Sequence, residues 1–116
     1  MVRINDQLYI QIVRISFESK KAQLLADTVQ EHLSDWISKC SGFISANLHV
    51  SADGKKMINY AQWRDKDSFD AFLNHEKQAE LKDAIQSQNP SKAEADQFEL
   101  VAQQSIEDEF WSKSRI

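Results

Sequence analysis

The hydrophobic positions change period several times along the chain, and each change marks an element. Leu8 to Phe17, LYIQIVRISF, is rich in β-branched and aromatic residues and predicts a first strand. From Lys20 to Lys39 the period becomes helical. Leu25, Val29, Leu33, Trp36, Ile37 and Cys40 form one apolar stripe there, with Ser19 placed to cap the element and Gly42 to end it. Phe43 to Val50 and Met57 to Arg64 read as the second and third strands. Between them, SADGKK contains Asp53-Gly54, a two-residue hairpin signal. Asp65 or Asp67 can cap a short helix over DSFDAFLN, and a further helix runs from about Glu76 to Gln88, ahead of Pro90. Phe98 to Ser105, FELVAQQS, predicts a fourth strand. The tail at about 106–116 carries Ile106, Phe110 and Trp111, too apolar a set to float freely in water.

The order β-α-β-β-α-β is the ferredoxin-like pattern, an α+β fold with one antiparallel sheet and its helices on one face. Residues 1–116 are read as a single domain of this kind. No helix is left over to cover the other sheet face, so a second copy of the chain is the expected cover, giving a homodimer.

The hairpin fixes a register. With Asp53 and Gly54 as the loop residues, Leu48 faces Asn59, Ala46 faces Ala61 and Ile44 faces Trp63. Side chains alternate across a strand, so Ile44, Ala46, Leu48, Val50, Met57, Asn59, Ala61 and Trp63 share one face, expected under the helices. Phe43, Ser45, Asn47, His49, Ile58, Tyr60 and Gln62 share the other, a mixed surface suited to an interface with a wet part. Asn59 is the exception on the apolar face. A buried amide without a partner costs about 1–3 kcal/mol, so something must bond to it.

Composition narrows the classes. The chain is 41% hydrophobic and 28% charged, with a net charge of −4. That balance opposes non-specific binding to nucleic acid or to an anionic membrane. No apolar run approaches the ~20 residues of a membrane span, and the N-terminal stretch lacks the pattern of a signal peptide. A single cysteine, Cys40, cannot close an internal disulfide; with these features it suggests a cytoplasmic protein. Glycine occurs only at 42 and 54, so no phosphate-binding glycine loop is present and no cofactor is expected. One cysteine and histidines at 32, 49 and 75 give no metal-ligand spacing. Cys40 reads as a small hydrophobe, Trp36 as core, His49 as an interface histidine, and His32 and His75 as solvent-facing.

The stretch GFISANLHVSADGKKMINYAQWRDKDSF resembles the central hairpin of the antibiotic biosynthesis monooxygenase family. The likeness rests on Gly42-Phe43, His49, the Asp53-Gly54 turn and the Asn59…Trp63 pair, and extends at domain level over Leu8 to Leu73. The resemblance implies a dimeric α/β barrel. It also implies oxidation of a phenolic, polycyclic or quinol-type aromatic by molecular oxygen, with no metal or flavin. Residues matching Asn59 and Trp63 have the catalytic role in the family, the amide as an oxyanion donor and the indole as a wall for a flat ring. Leu48, Met57, Phe69 and Phe72 are expected to line the same pocket. Some family members add an asparagine on the first strand, where this chain has only Gln11 and Arg14 as long polar groups. A tyrosine found after the tryptophan is Phe69 here. Alignment to a haem-degrading branch puts Phe72 at its tryptophan and Lys82 at its histidine, which disfavours that chemistry. The competing reading is a non-catalytic dimeric barrel that binds a small aromatic ligand or a partner protein.

Overall fold

The computed structural model describes residues 8–104. Four strands and three α-helices follow in the order β1 (Tyr9–Ser16), α1 (Ala22–Asp35), β2 (Phe43–Val50), β3 (Lys56–Trp63), α2 (Lys66–Leu73), α3 (Gln78–Gln86) and β4 (Lys92–Glu99). The sheet order is β2-β3-β1-β4, antiparallel throughout, which is the expected α+β ferredoxin-like arrangement. A short 3₁₀ turn, Ile37–Lys39, links α1 to β2. Among the described residues no helix is long and apolar enough to cross a membrane.

The core lies between the sheet and the helices. From the sheet it takes Ile15, Met57 and Trp63, from α1 Leu25, Val29 and Leu33, and from α2 Phe69 and Phe72. The predicted stripe on the first helix is buried from Leu25 to Ile37, with Cys40 half-buried, but the helix ends sooner. Trp36 leaves helical geometry at φ −142°, ψ −33°, and Ile37 reaches the core from the 3₁₀ turn. Ser19 does not cap α1: Lys21 precedes the first turn and no side chain bonds to it. Asp65 does cap α2, accepting from the Ser68 amide at 2.8 Å. Hydrogen bonds from Ser68 lower the pKa of the Asp65 carboxyl.

The hairpin keeps the expected pairs Leu48–Asn59 and Ala46–Ala61, but two details differ. The turn closes from the Gly54 amide to the Ser51 carbonyl, so Ala52 and Asp53 sit at its centre and Gly54 follows at φ +75°. At the far end, Phe43 and not Ile44 faces Trp63, because a bulge between Phe43 and Ser45 inserts one residue. An inserted residue reverses the alternation beyond it. Phe43 therefore turns inward, edge-on to Trp63 at 5.5 Å, and Ile44 turns out, 47% exposed. Gly42, at φ +81°, precedes the bulge; a Cβ there would collide with the buried Ser68 side chain, so the start of β2 rides directly on α2.

The fourth strand lies earlier than Phe98 to Ser105. It spans Lys92–Glu99 and pairs with β1 from Ser16–Lys92 to Tyr9–Glu99. Every residue of it is exposed. This edge strand alternates charged Lys92, Glu94 and Asp96 with small Ala93 and Ala95, so it lacks the large apolar face that located the others. The apolar tail residues Ile106, Phe110 and Trp111 fall outside the described residues.

Candidate active site

Parity on β3 places Met57, Asn59, Ala61 and Trp63 toward the helices, and antiparallel pairing sets Val13 opposite Asn59 and Gln11 opposite Ala61. Gln11, Val13 and Ile15 thus share that face on the neighbouring strand, with the Gln11 amide diagonal to Asn59. Above them α3 and the end of α2 leave a cavity of about 220 Å³. An apolar cavity of ~150 Å³ takes a benzene ring, so this one has room for an aromatic ligand. Its floor is Gln11, Val13, Ile15, Met57 and Asn59; its walls are Val29, Ile37, Phe72 and Leu73 together with Gln78, Leu81, Lys82 and Ile85 of α3.

Asn59 is the polar centre of that floor. Its Oδ1 is buried and has no hydrogen-bond partner among the described residues. Such side-chain atoms are few here: the others are Trp63 Nε1 and Gln88 Oε1. Two of these three atoms belong to the Asn59…Trp63 pair that carries the family resemblance. Leaving such an acceptor unpaired costs about 1–3 kcal/mol, a cost that only a hydrogen-bond donor, such as a phenolic O–H, would offset. A carboxamide offers both halves of a hydrogen bond, accepting from a phenolic O–H through Oδ1 or donating through Nδ2 to an oxyanion.

Of the other expected lining residues, Met57 and Phe72 do line the cavity. Trp63, Phe69 and Leu48 do not. Trp63 is 1% exposed and lies behind Phe72, stacked on it at 4.7 Å with 28° between the planes. Phe69 stands edge-on to Trp63 at 6.3 Å and contacts Tyr9 at 5.2 Å. Leu48 packs against the core from β2. The column continues outward: Phe72 stacks on Trp36 at 5.7 Å, and Trp36 on His75 at 4.4 Å. His32 and His75 are therefore not the solvent-facing residues expected. Trp36 Nε1 donates to His32 Nδ1 at 2.9 Å, and the Lys77 amide donates to His75 Nδ1 at 3.0 Å. After the break in α1, Trp36 lies between the Phe72 and His75 rings.

Gln11, Gln78 and Lys82 were not among the expected site residues. Gln11 was legible, since it shares parity with Val13 and Ile15. Gln78 and Lys82 are one helical turn apart on α3, but which face of α3 meets the sheet depends on how that helix docks. Cys40 is half-buried, its Sγ directed at the Trp36 carbonyl at 3.6 Å, and burial pushes its thiol pKa up, as suits a small hydrophobe. Among the described residues no group of three or more His, Cys, Asp or Glu side chains is placed to hold a metal.

Comparison with known proteins agrees with this fold. The family description antibiotic biosynthesis monooxygenase matches residues 8–87, and the chain belongs to that family. Tetracenomycin-F1 monooxygenase of Streptomyces glaucescens is 40% identical over 53 residues, which are 46% of this chain and 47% of that protein. The match thus spans about half the length of this curated relative. Among solved structures, the Streptomyces coelicolor monooxygenase from ActVA-Orf6, in complex with nanaomycin D, superposes with a TM-score of 0.77 at 24% identity, covering 85% of this chain and 92% of that one. SnoaB, a cofactor-independent oxygenase from Streptomyces nogalater, superposes with a TM-score of 0.69 at 20% identity, covering 86% and 97%. At these identities the likeness is one of fold.

The site predicts opposite responses to two truncations. Asn59→Ala removes an unpaired buried polar atom, so its melting temperature should equal or exceed that of wild type. Trp63→Ala empties the inner end of the aromatic column and should cost about 3–5 kcal/mol in a denaturant titration. A large loss of stability in Asn59→Ala would mean that the amide is a structural bond.

Proposed function

We propose that the protein is a cofactor-independent monooxygenase that oxidises a phenolic, polycyclic or quinol-type aromatic with molecular oxygen. The observation that carries this reading is Asn59, its Oδ1 buried and unpartnered among the described residues, on the floor of an otherwise largely apolar cavity. Family membership and the likeness to tetracenomycin-F1 monooxygenase support it.

The chemistry asks little of the protein. Triplet oxygen reacts poorly with closed-shell molecules, but an electron-rich phenolate can give it one electron. The resulting radical pair can join as a peroxide anion, which takes up a proton, in balance with the one the phenol lost, to give a hydroperoxide. On an anthrone-type CH₂ carbon, loss of water then leaves a quinone carbonyl: one oxygen atom stays on the carbon, and the other departs with its two hydrogens. The protein must hold the anion, exclude bulk water and aim a fixed donor at the charged oxygen. In this reading Asn59 is that donor, and Met57 and Phe72 form the apolar walls. Trp63 acts from behind Phe72, holding that ring in place. Phe69 and Leu48 support the same wall from the core.

Assembly belongs to the same proposal. The open sheet face presents Ile12, Arg14, Ser45, Asn47, His49, Ile58, Tyr60 and Gln62 around a shallow hollow. A second copy placed there would form a dimeric α/β barrel, with an interface above the ~1,200 Å² lower end for stable complexes. Light scattering at micromolar concentration should give twice the chain mass, and a monomer would contradict the assembly.

Turnover is tested by oxygen uptake with a panel of anthrones, naphthols and hydroquinones. Enzyme-dependent uptake is expected, falling by roughly 10²–10³ in Asn59→Ala, the effect of removing one oxyanion donor. Tight binding of these compounds without uptake would favour the non-catalytic binding module instead.

A further inference from the structure

The two tryptophans of the aromatic column differ in what their indole N–H meets. Trp63 Nε1 is buried and has no acceptor among the described residues. Trp36 is also buried, but its Nε1 donates to His32 Nδ1 at 2.9 Å. A histidine nitrogen that accepts carries no proton, so His32 keeps its own proton on Nε2 and can take another on Nδ1. His32 is half-buried in the last turn of α1, where the carbonyls of the helix end favour a positive charge. Phe72 lines the cavity and stacks on both indoles, at 4.7 Å on Trp63 and 5.7 Å on Trp36. The column thus connects the cavity wall to a tryptophan that has a base.

Indole is among the side chains that lose one electron most readily, and the loss makes its N–H strongly acidic. The resulting radical cation is costly in an apolar interior unless the proton can leave. Trp63 has no described acceptor for that proton, and Trp36 has one. We propose that Trp36 and His32 form a proton-coupled redox site that takes oxidising equivalents out of the cavity through Phe72. Its natural oxidant rests on the oxygen chemistry proposed above: an organic peroxyl radical, formed when superoxide escapes and a second oxygen adds to the ligand radical. Trp36 gives that radical one electron and gives its Nε1 proton to His32 Nδ1. The peroxyl group becomes a peroxide anion, which takes a proton from solvent to give a hydroperoxide. Trp36 is left as a neutral radical and His32 as an imidazolium. A thiolate in solution returns the electron, becoming a thiyl radical, and the His32 proton goes back to Nε1. The site spares Met57, the oxidisable thioether on the cavity floor.

The test is made in a Trp111→Phe background, so that Trp36 and Trp63 are the remaining tryptophans. Anthraquinone-2-sulfonate, a flat ring system whose excited state takes one electron, is the oxidant. Flash photolysis reads the product, because neutral and protonated tryptophanyl radicals differ in visible absorption. The background protein should give the neutral radical; Trp63→Phe should keep it and Trp36→Phe should lose it. His32→Gln keeps a hydrogen-bond acceptor but has no base, so the protonated radical should replace the neutral one at early times, with the melting temperature unchanged. Peptide mass spectrometry should then find more sulfoxide at Met57 in His32→Gln than in the background protein. Equal neutral radical with and without His32 overturns the inference, as do its survival in Trp36→Phe, equal oxidation of Met57 in the two proteins, and a background protein that forms no tryptophanyl radical. If the neutral radical depends on His32 but anthrones draw no oxygen, the monooxygenase reading fails and the redox site stands. If anthrones are oxidised and His32→Gln leaves the radical unchanged, this inference alone fails.

Discussion

One constraint organises the molecule: the inward row of β3 must be buried, and it contains an amide. Met57, Ala61 and Trp63 are each almost fully covered by helices. Asn59 lies among them with its Oδ1 cut off from water and unmatched by any described residue. Had the helices packed down over that position, the amide would need a structural partner. They stand off instead, and the gap between β3, β1 and α3 is the cavity. The site is thus a region of the core that the sequence leaves unfilled.

The aromatic residues explain how that gap persists without collapse. Trp63, Phe72 and Trp36 stack in turn from the sheet outward, and His75 closes the column. Phe43 and Phe69 brace Trp63 from its edges. Phe72, packed between Trp63 and Trp36 in this column, forms one wall of the cavity that Asn59 floors. Stacked and edge-to-face rings contribute about 0.5–1.5 kcal/mol per pair beyond burial, so the wall is stiff as well as apolar. Local devices orient it: the Asp65 cap starts α2, and Gly42 brings β2 hard against Ser68. The Lys77–Asp35 pair ties the start of α3 to α1, at an exposed site where such a bond is worth little alone.

Most of this fold is legible where burial is one-sided. The α1 stripe, the central hairpin and the placement of Asn59 follow from periods of 3.6 and 2, since each element has one covered face. The bulge at Ile44 is not legible, because Phe43 and Ile44 are both apolar and no composition signal says which turns inward. The fourth strand is misplaced for the opposite reason: it buries nothing, so its alternation carries no information. Within the site, strand parity finds Asn59 and Met57, and Gln11 follows from the same rule. Trp63 has the right face but stands one layer too deep. Gln78 and Lys82 depend on the docking of α3, a tertiary fact that local pattern does not contain.

The central claim is that the Asn59 side chain meets the ligand, and side-chain amide NMR tests it directly. Gln11, Asn59 and Gln78 place carboxamides in the cavity, while Asn47 and Gln62 place them on the open sheet face as internal controls. Titration of ¹⁵N-labelled protein with 2-naphthol should move the Asn59 NH₂ pair most, with Gln11 and Gln78 following and Asn47 and Gln62 still. An unmoved Asn59, with shifts gathered on Asn47 and Gln62, would place the ligand on the open sheet face and contradict the account.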